Sequence, residues 1–183
     1  EAQLDGLVRQ GAAEMDSTPV EVLARGAQAR ELQAYTLARA AVLTAFEQVG
    51  GAETCCEMAR DYSLERYTFG RAIGSYQAVK HKLADVQVEI ELALSNAYYG
   101  AWALSTEAED LTRAAAVARI SATEASVMAA EENLQVHGGI GYTWEHDLHF
   151  LLKRAKAGEV LCGPAAYHRA RLAHRLGLTE ESA

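Results

Sequence analysis

The segment LTRAAAVARISATEASVMAAEENLQVHGG, residues 111–139, decides the fold. Alanines recur at 115, 118, 122, 125 and 129, the three- and four-residue spacing of one helix face, and their small side chains permit close helix approach. Gly138 and Gly139 then supply the stop expected at a helix C-terminus. A helix over 111–136 with such a face needs neighbouring helices to bury it.

Outward from this segment the same periodicity returns. Residues 32–66 carry Leu37, Ala41, Val42, Ala45, Phe46 and Val49, then Met58, Tyr62 and Leu64. That pattern predicts one long helix, with Gly50 and Gly51 marking close packing rather than a break. Residues 66–75 hold too many glycines for a helix, and residues 78–104 resume with Leu83, Val86, Ile90, Ala93 and Ala97 along one face. Further helices are predicted over 145–161 and 164–176, with Pro164 in the first turn, where its missing N–H costs little. The expected fold class is all-α, an antiparallel four- to five-helix bundle over residues 34–178. No sustained heptad register points to a coiled coil.

Residues 1–33 are less regular, with Pro19 and Gly26, and read as a short irregular or β segment, a linker or the tail of a preceding β-domain, with Val20, Val22 and Leu23 as the candidate strand. The chain opens on Glu1 rather than methionine, which is expected of a fragment, and residues 179–183 read as a C-terminal tail.

Composition narrows the class. The 183 residues are 50% apolar with two prolines, the profile of a mostly helical domain. A net charge of -8 disfavours nucleic acid and acidic membranes, because no face gathers the cations that counterion release requires. No stretch approaches the roughly twenty apolar residues of a membrane span, and no charged-then-apolar leader opens the chain, so a cytoplasmic protein is expected. Of the three cysteines, Cys55 and Cys56 are adjacent, which suits neither a disulfide ladder nor zinc; they read as buried small hydrophobes.

The chemistry concentrates in two runs, Arg66-Tyr-Thr-Phe-Gly70 and Gln135-Val-His-Gly-Gly-Ile-Gly-Tyr-Thr143, which set exposed backbone and anion-seeking side chains between helices. Such pieces suit a bulky phosphorylated cofactor. Neither is a Rossmann or P-loop fingerprint: Gly138-Gly139-Ile140-Gly141 lacks the required spacing, no strand precedes it, and no Walker lysine follows. His146 and His149 lie three apart, as two ligands on one helix face would, but no third ligand accompanies them and no metal is expected. Lys153, Arg154 and Lys156 read as a solvated face or a helix-end cap.

These runs, taken with Tyr62-Ser-Leu-Glu-Arg66, Ile73, Gln77, Lys82-Leu-Ala-Asp85 and Leu152-Lys-Arg-Ala-Lys156, resemble the acyl-CoA dehydrogenase family in order and spacing over roughly residues 37–178. In that family this part is the C-terminal helical bundle. The resemblance implies FAD as cofactor, an acyl-CoA substrate, an electron-transfer flavoprotein as acceptor and a homo- or heterotetrameric assembly. It also implies roles: Arg66 at the pyrophosphate of a neighbouring subunit's FAD, Thr68 adding a hydroxyl, Phe69 near the adenosine half, Gln77 and Gln135 toward the adenine, and Gly138 and Gly139 allowing close backbone approach. Taken singly, Arg66 is equally a helix-terminal cation, Phe69 a core residue, Gln135 a surface amide and the glycines a simple cap.

The acid–base part of the resemblance fails. The family's glutamate base precedes a glycine just after the helix following the glycine turn, and this chain has Val160-Leu-Cys-Gly163 there, with Cys162 in the glutamate's place. A thiol is no simple substitute, since an apolar site raises its pKa further. Members that carry the base on the first helix have it near Ala40 or Ala41, which lack a carboxylate too. Glu159 is three residues away and turned to another part of the helix. Pro164, Ala165 and Ala166 replace the flavin-touching residues that follow the usual glutamate.

Three readings follow. The pattern resembles the degenerate partner subunits of heteromeric actinobacterial acyl-CoA dehydrogenases, in which a base-lacking chain supports the cofactor. The alternatives are a competent homotetramer whose base is Glu159 or lies outside these residues, and a helical scaffold without cofactor.

Overall fold

A computed structural model describes residue 11 and residues 13–178. The expected tail at 179–183 and the opening residues 1–10 lie outside the described residues. Five α-helices follow in chain order: α1 (Gly26–Glu65), α2 (Gln77–Ser105), α3 (Leu111–His137), α4 (Leu148–Val160) and α5 (Ala165–Arg175). Between α1 and α2 lies a small hairpin, β1 (Tyr67–Thr68) antiparallel to β2 (Arg71–Ala72), with Tyr67 opposite Ala72 and Thr68 opposite Arg71. Short 3₁₀ turns at Ile73–Ser75 and Gly138–Tyr142 lead into α2 and out of α3. The all-α expectation holds.

The alanine face dictates the arrangement. α3 is central and packs against each of the other four helices. Ala118, Ala122, Ala125 and Ala129 are buried against Ala45, Val49 and Ala52 of α1 and against Val86, Ile90, Ala93 and Ala97 of α2. Side chains this small bring helix backbones together, so the bulk of the core comes from α1 and α2. Gly100 marks a close crossing of α1, α2 and α3, where an added Cβ would lie 3.1 Å from Val42 Cγ2 and 3.4 Å from Ala118 Cβ. No described helix is long and apolar enough to cross a membrane.

Several expectations are corrected. α1 begins at Gly26 rather than near 32, and Val20, Val22 and Leu23 form no strand but lie exposed in irregular chain. A strand there would need a partner edge, and none is present among the described residues. α1 does run unbroken through Gly50 and Gly51, yet a Cβ on either would meet nothing within 4 Å, so close packing within this chain is not their reason. Leu64 follows the helical period but is 61% exposed, because the packed part of the helix is ending there. Pro164 stands at the N-cap of α5, one position before its first turn.

Candidate cofactor-facing site

α1 stops because Arg66 turns extended, at φ -80° and ψ 120°. Its N–H still donates to Tyr62 O at 2.9 Å, and its own carbonyl accepts from Ile73 N–H at 2.8 Å, which closes the base of the hairpin. At the tip Phe69 and Gly70 have φ of 53° and 79°, the paired positive values of a two-residue type I′ turn. Glycine takes this conformation freely; a phenylalanine there costs about 1 kcal/mol or more. Phe69 is nevertheless 92% exposed, so its ring is not packed into the core of the described residues.

The hairpin is fixed on its inner side. Tyr76 Oη donates to Thr68 O at 3.0 Å, and the Arg71 guanidinium lies 3.8 Å from the Tyr76 ring centre. Gly74 is required for docking on α1, since a Cβ there would sit 2.7 Å from Ser63 Oγ and 3.0 Å from Ser63 O. Between hairpin and helices runs a mainly apolar groove of about 380 Å³ lined by Thr68, Phe69, Tyr76, Val79, Gln135 and Val136. Thr68 and Phe69 of the hairpin and Gln135 of α3, far away in sequence, thus line one groove. Gln77 opens α2 with its side chain exposed, and the exposed Arg66 guanidinium makes no hydrogen bond or ion pair among the described residues.

α3 ends at Gly138, whose φ of 61° and ψ of -137° exclude other residues at low cost, and its N–H donates to Leu134 O. Gly139 differs: its φ is not positive and a Cβ would meet nothing within 4 Å. Beneath this turn His137 is buried, stacked on Tyr62 with ring centres 4.2 Å apart, and its Nδ1 lies 2.9 Å from Asn133 O.

The second turn of interest follows α4. Cys162 adopts φ 56° and Gly163 φ 95°, and Cys162 Sγ lies 3.7 Å from Thr44 Oγ1 of α1. Glu159 faces elsewhere: it lines a groove with Glu124, Glu131 and Arg169, and Lys156 Nζ approaches its carboxylate at 3.4 Å. Ala41 is fully buried and Ala40 partly so. A residue that composition did not single out dominates this region. Arg119 is 0% exposed, and its guanidinium donates to Gln48 Oε1, Thr123 Oγ1, Gly158 O and Leu161 O. Its spacing from Ala115, Ala122 and Ser126, four, three and seven residues, places it on the apolar face of α3, a signal that was available in the sequence.

A family model described as "Acyl-CoA dehydrogenase, C-terminal domain" matches residues 30–177. The chain belongs to the acyl-CoA dehydrogenase family. It is 47% identical over 116 residues to "Acyl-CoA dehydrogenase IpdE2" of Mycobacterium tuberculosis, a match that takes in 63% of this chain. The chain spans only 35% of the length of that curated relative. Its fold is similar to butyryl-CoA dehydrogenase from Megasphaera elsdenii, with TM-score 0.76 and 25% identity over 80% of this chain and 38% of the other. The ChsE4-ChsE5 complex from Mycobacterium tuberculosis is equally similar, with TM-score 0.76 and 27% identity over 82% of this chain and 41% of that one.

Acyl-CoA dehydrogenases depend on FAD, and the residues present fit such a group. A guanidinium unpaired and an aromatic exposed among the described residues, an apolar groove edged by an amide and an open glycine suit a dinucleotide's phosphates, rings and close backbone contact. The other candidates are structural. His146 O lies 2.8 Å from His149 Nδ1; the His146 ring packs edge-on against His137, and the His149 ring packs against Trp144 and Phe150. Lys153 sits over Trp144, Arg154 pairs with Glu47, and Lys156 pairs with Glu131. All three cysteines are free, and burial pushes the Cys55 thiol up to about 11.

Two imidazoles make stability depend on pH. Burial holds His137 below the ordinary imidazole value, opposed by its bond to Asn133 O and reinforced by His146; burial likewise lowers His168, opposed by its bond to Cys162 O. The folded state thus favours neutral rings, while the unfolded chain takes up protons near pH 6.5. Melting temperature is expected to be flat above about pH 7 and to fall as pH drops from about 6.5 toward 5. Thermal denaturation across that range checks this, and a melting temperature constant from pH 7 to 5 would count against it.

Proposed function

We propose that this chain is the C-terminal bundle of a cofactor-supporting, base-lacking subunit of an FAD-dependent acyl-CoA dehydrogenase of the heteromeric kind. One contrast carries the reading: Thr68 and Phe69 of the hairpin line one groove with Gln135, whereas the turn after α4 presents Cys162 against Thr44 with no carboxylate. In this reading Arg66 grips the pyrophosphate of FAD bound mainly by a neighbouring subunit. Thr68, Phe69, Gln77 and Gln135 line the adenosine half, and Gly138 and Gly139 leave room for it. The cofactor's own chemistry is acceptance of the substrate's β-hydride, and this chain contributes its anchoring. The α-proton would be taken by a carboxylate of the partner chain. Substrate is an acyl-CoA thioester, and the electron acceptor is an electron-transfer flavoprotein.

The outer face of α2 supports a subunit role. Val88, Leu92, Tyr99 and Trp102 recur at helical spacing along it, each more than a third exposed, with Tyr99 and Trp102 stacked at 5.7 Å. A stripe of that kind suits burial against another subunit. The likeness to a two-chain complex, ChsE4-ChsE5, is consistent with this. The alternative with Glu159 as base is disfavoured, because that carboxylate is engaged by Lys156 on a different face from Cys162.

The test is expression of the intact gene product alone and together with a glutamate-bearing partner. Alone it is expected to show no acyl-CoA dehydrogenation; the co-purified assembly is expected to be yellow and active. Full turnover by the isolated homomer would overturn the reading, and a colourless assembly would exclude the cofactor role.

A further inference from the structure

Two successive left-handed residues, Cys162 and Gly163, make an expensive turn, since a side-chain-bearing residue at φ 56° persists only where its surroundings over-determine it. The surroundings here are specific. α4 ends with its C-cap Leu161 extended, leaving the last carbonyls without an intrahelical donor. Arg119, reaching across from α3, donates to two of them, Gly158 O and Leu161 O, the latter at 2.6 Å. His168 of α5 donates from Nε2 to Cys162 O at 3.1 Å, its buried Nδ1 having no partner.

The arginine has no carboxylate partner among the described residues. A buried guanidinium facing neutral acceptors is costly, and what offsets that cost is the negative end of the α4 dipole with its unpaired carbonyls. Gly158 is part of the same device, because a Cβ there would lie 2.9 Å from Gln48 Nε2, the residue that accepts from Arg119 on the α1 side. Arg119 on α3 therefore caps the next helix of the chain, α4.

We propose that Arg119 and His168 are positioning residues that lock the 161–163 turn in its strained form, so that residue 162 is held in place before any ligand binds. That the turn faces an acyl thioester rests on the function proposed above; that it is pinned does not.

Cys162 reports on its own turn. The test is N-ethylmaleimide labelling of the intact protein without acyl-CoA, each cysteine quantified by peptide mass mapping, in native protein and in Arg119→Met, Arg119→Lys and His168→Ala. Release of the turn is expected to speed Cys162 labelling about tenfold in Arg119→Met, with Cys56 unchanged as the control. A smaller rise is expected in Arg119→Lys, whose ammonium replaces some of the donors. Should Arg119→Met fail to fold, Arg119→Lys and His168→Ala carry the test. Unchanged Cys162 labelling in the folded variants, or a rise shared equally by Cys55 and Cys56, would overturn the proposal. Because no flavin, partner or substrate enters the assay, its outcome is separate from that of the co-expression experiment.

Discussion

Replacing Arg66 by alanine in the intact assembly is expected to weaken flavin retention about a hundredfold while leaving the bundle folded. A guanidinium on a phosphate forms a pair of charge-assisted hydrogen bonds, and losing both costs about 3 kcal/mol, two decades in affinity. The fold has little at stake in that side chain, because it is exposed and unpaired among the described residues; only the backbone of Arg66 serves the hairpin. Arg71→Ala is the matched control. It lies on the same hairpin, but its guanidinium is already engaged over the Tyr76 ring, so its removal is expected to loosen the hairpin slightly and to change flavin retention much less. Flavin absorbance remaining after dialysis measures both. Equal retention in Arg66→Ala and native protein would remove the cofactor role of the hairpin.

That contrast bears on what was legible beforehand. The helices α2 and α3 could be read from spacing alone, since their buried positions repeat at three and four residues and Gly138 ends α3 with a conformation that needs glycine. The hairpin was legible only as a non-helical, glycine-bearing interval: two residues per strand are too few for alternation to register. Leu64, and the apolar Val20, Val22 and Leu23, misled because apolar character signals burial but does not say by what. In α1 the open space around Gly50 and Gly51 has the same cause, a surface that the described residues do not cover.

That Thr68, Phe69 and Gln135 deserve to be considered together was legible in the sequence; what supports the turn after α4 was not. Arg66, Phe69 and Gln135 stand in compact runs whose residue types announce anion and aromatic contact. Arg119 was hidden because its acceptors, Gln48, Thr123, Gly158 and Leu161, lie on three separate segments, and a cation in an alanine-rich helix reads by default as solvated. What one sequence can reveal of such a residue is its register among buried alanines.

The paired glycines at the end of α3 allow intrinsic and ligand-imposed constraints to be separated. Gly138→Leu forces a side-chain-bearing residue into φ 61° and ψ -137°, at a cost of about 1–3 kcal/mol, which for a chain of this size lowers the melting temperature by roughly 2–12 °C. Gly139→Leu meets no such penalty, as its φ is not positive and no described residue lies within 4 Å of an added Cβ. Its melting temperature is expected to stay within about 2 °C of native. Yet if a neighbour's dinucleotide passes close to residue 139, the added isobutyl group occupies its path, and flavin retention is expected to fall roughly tenfold or more. The decisive comparison is thus between two adjacent substitutions of the same kind, one reading out in the thermal melt and the other in flavin content. A Gly139→Leu assembly that keeps its full flavin complement would mean that the open space at this turn accommodates no cofactor.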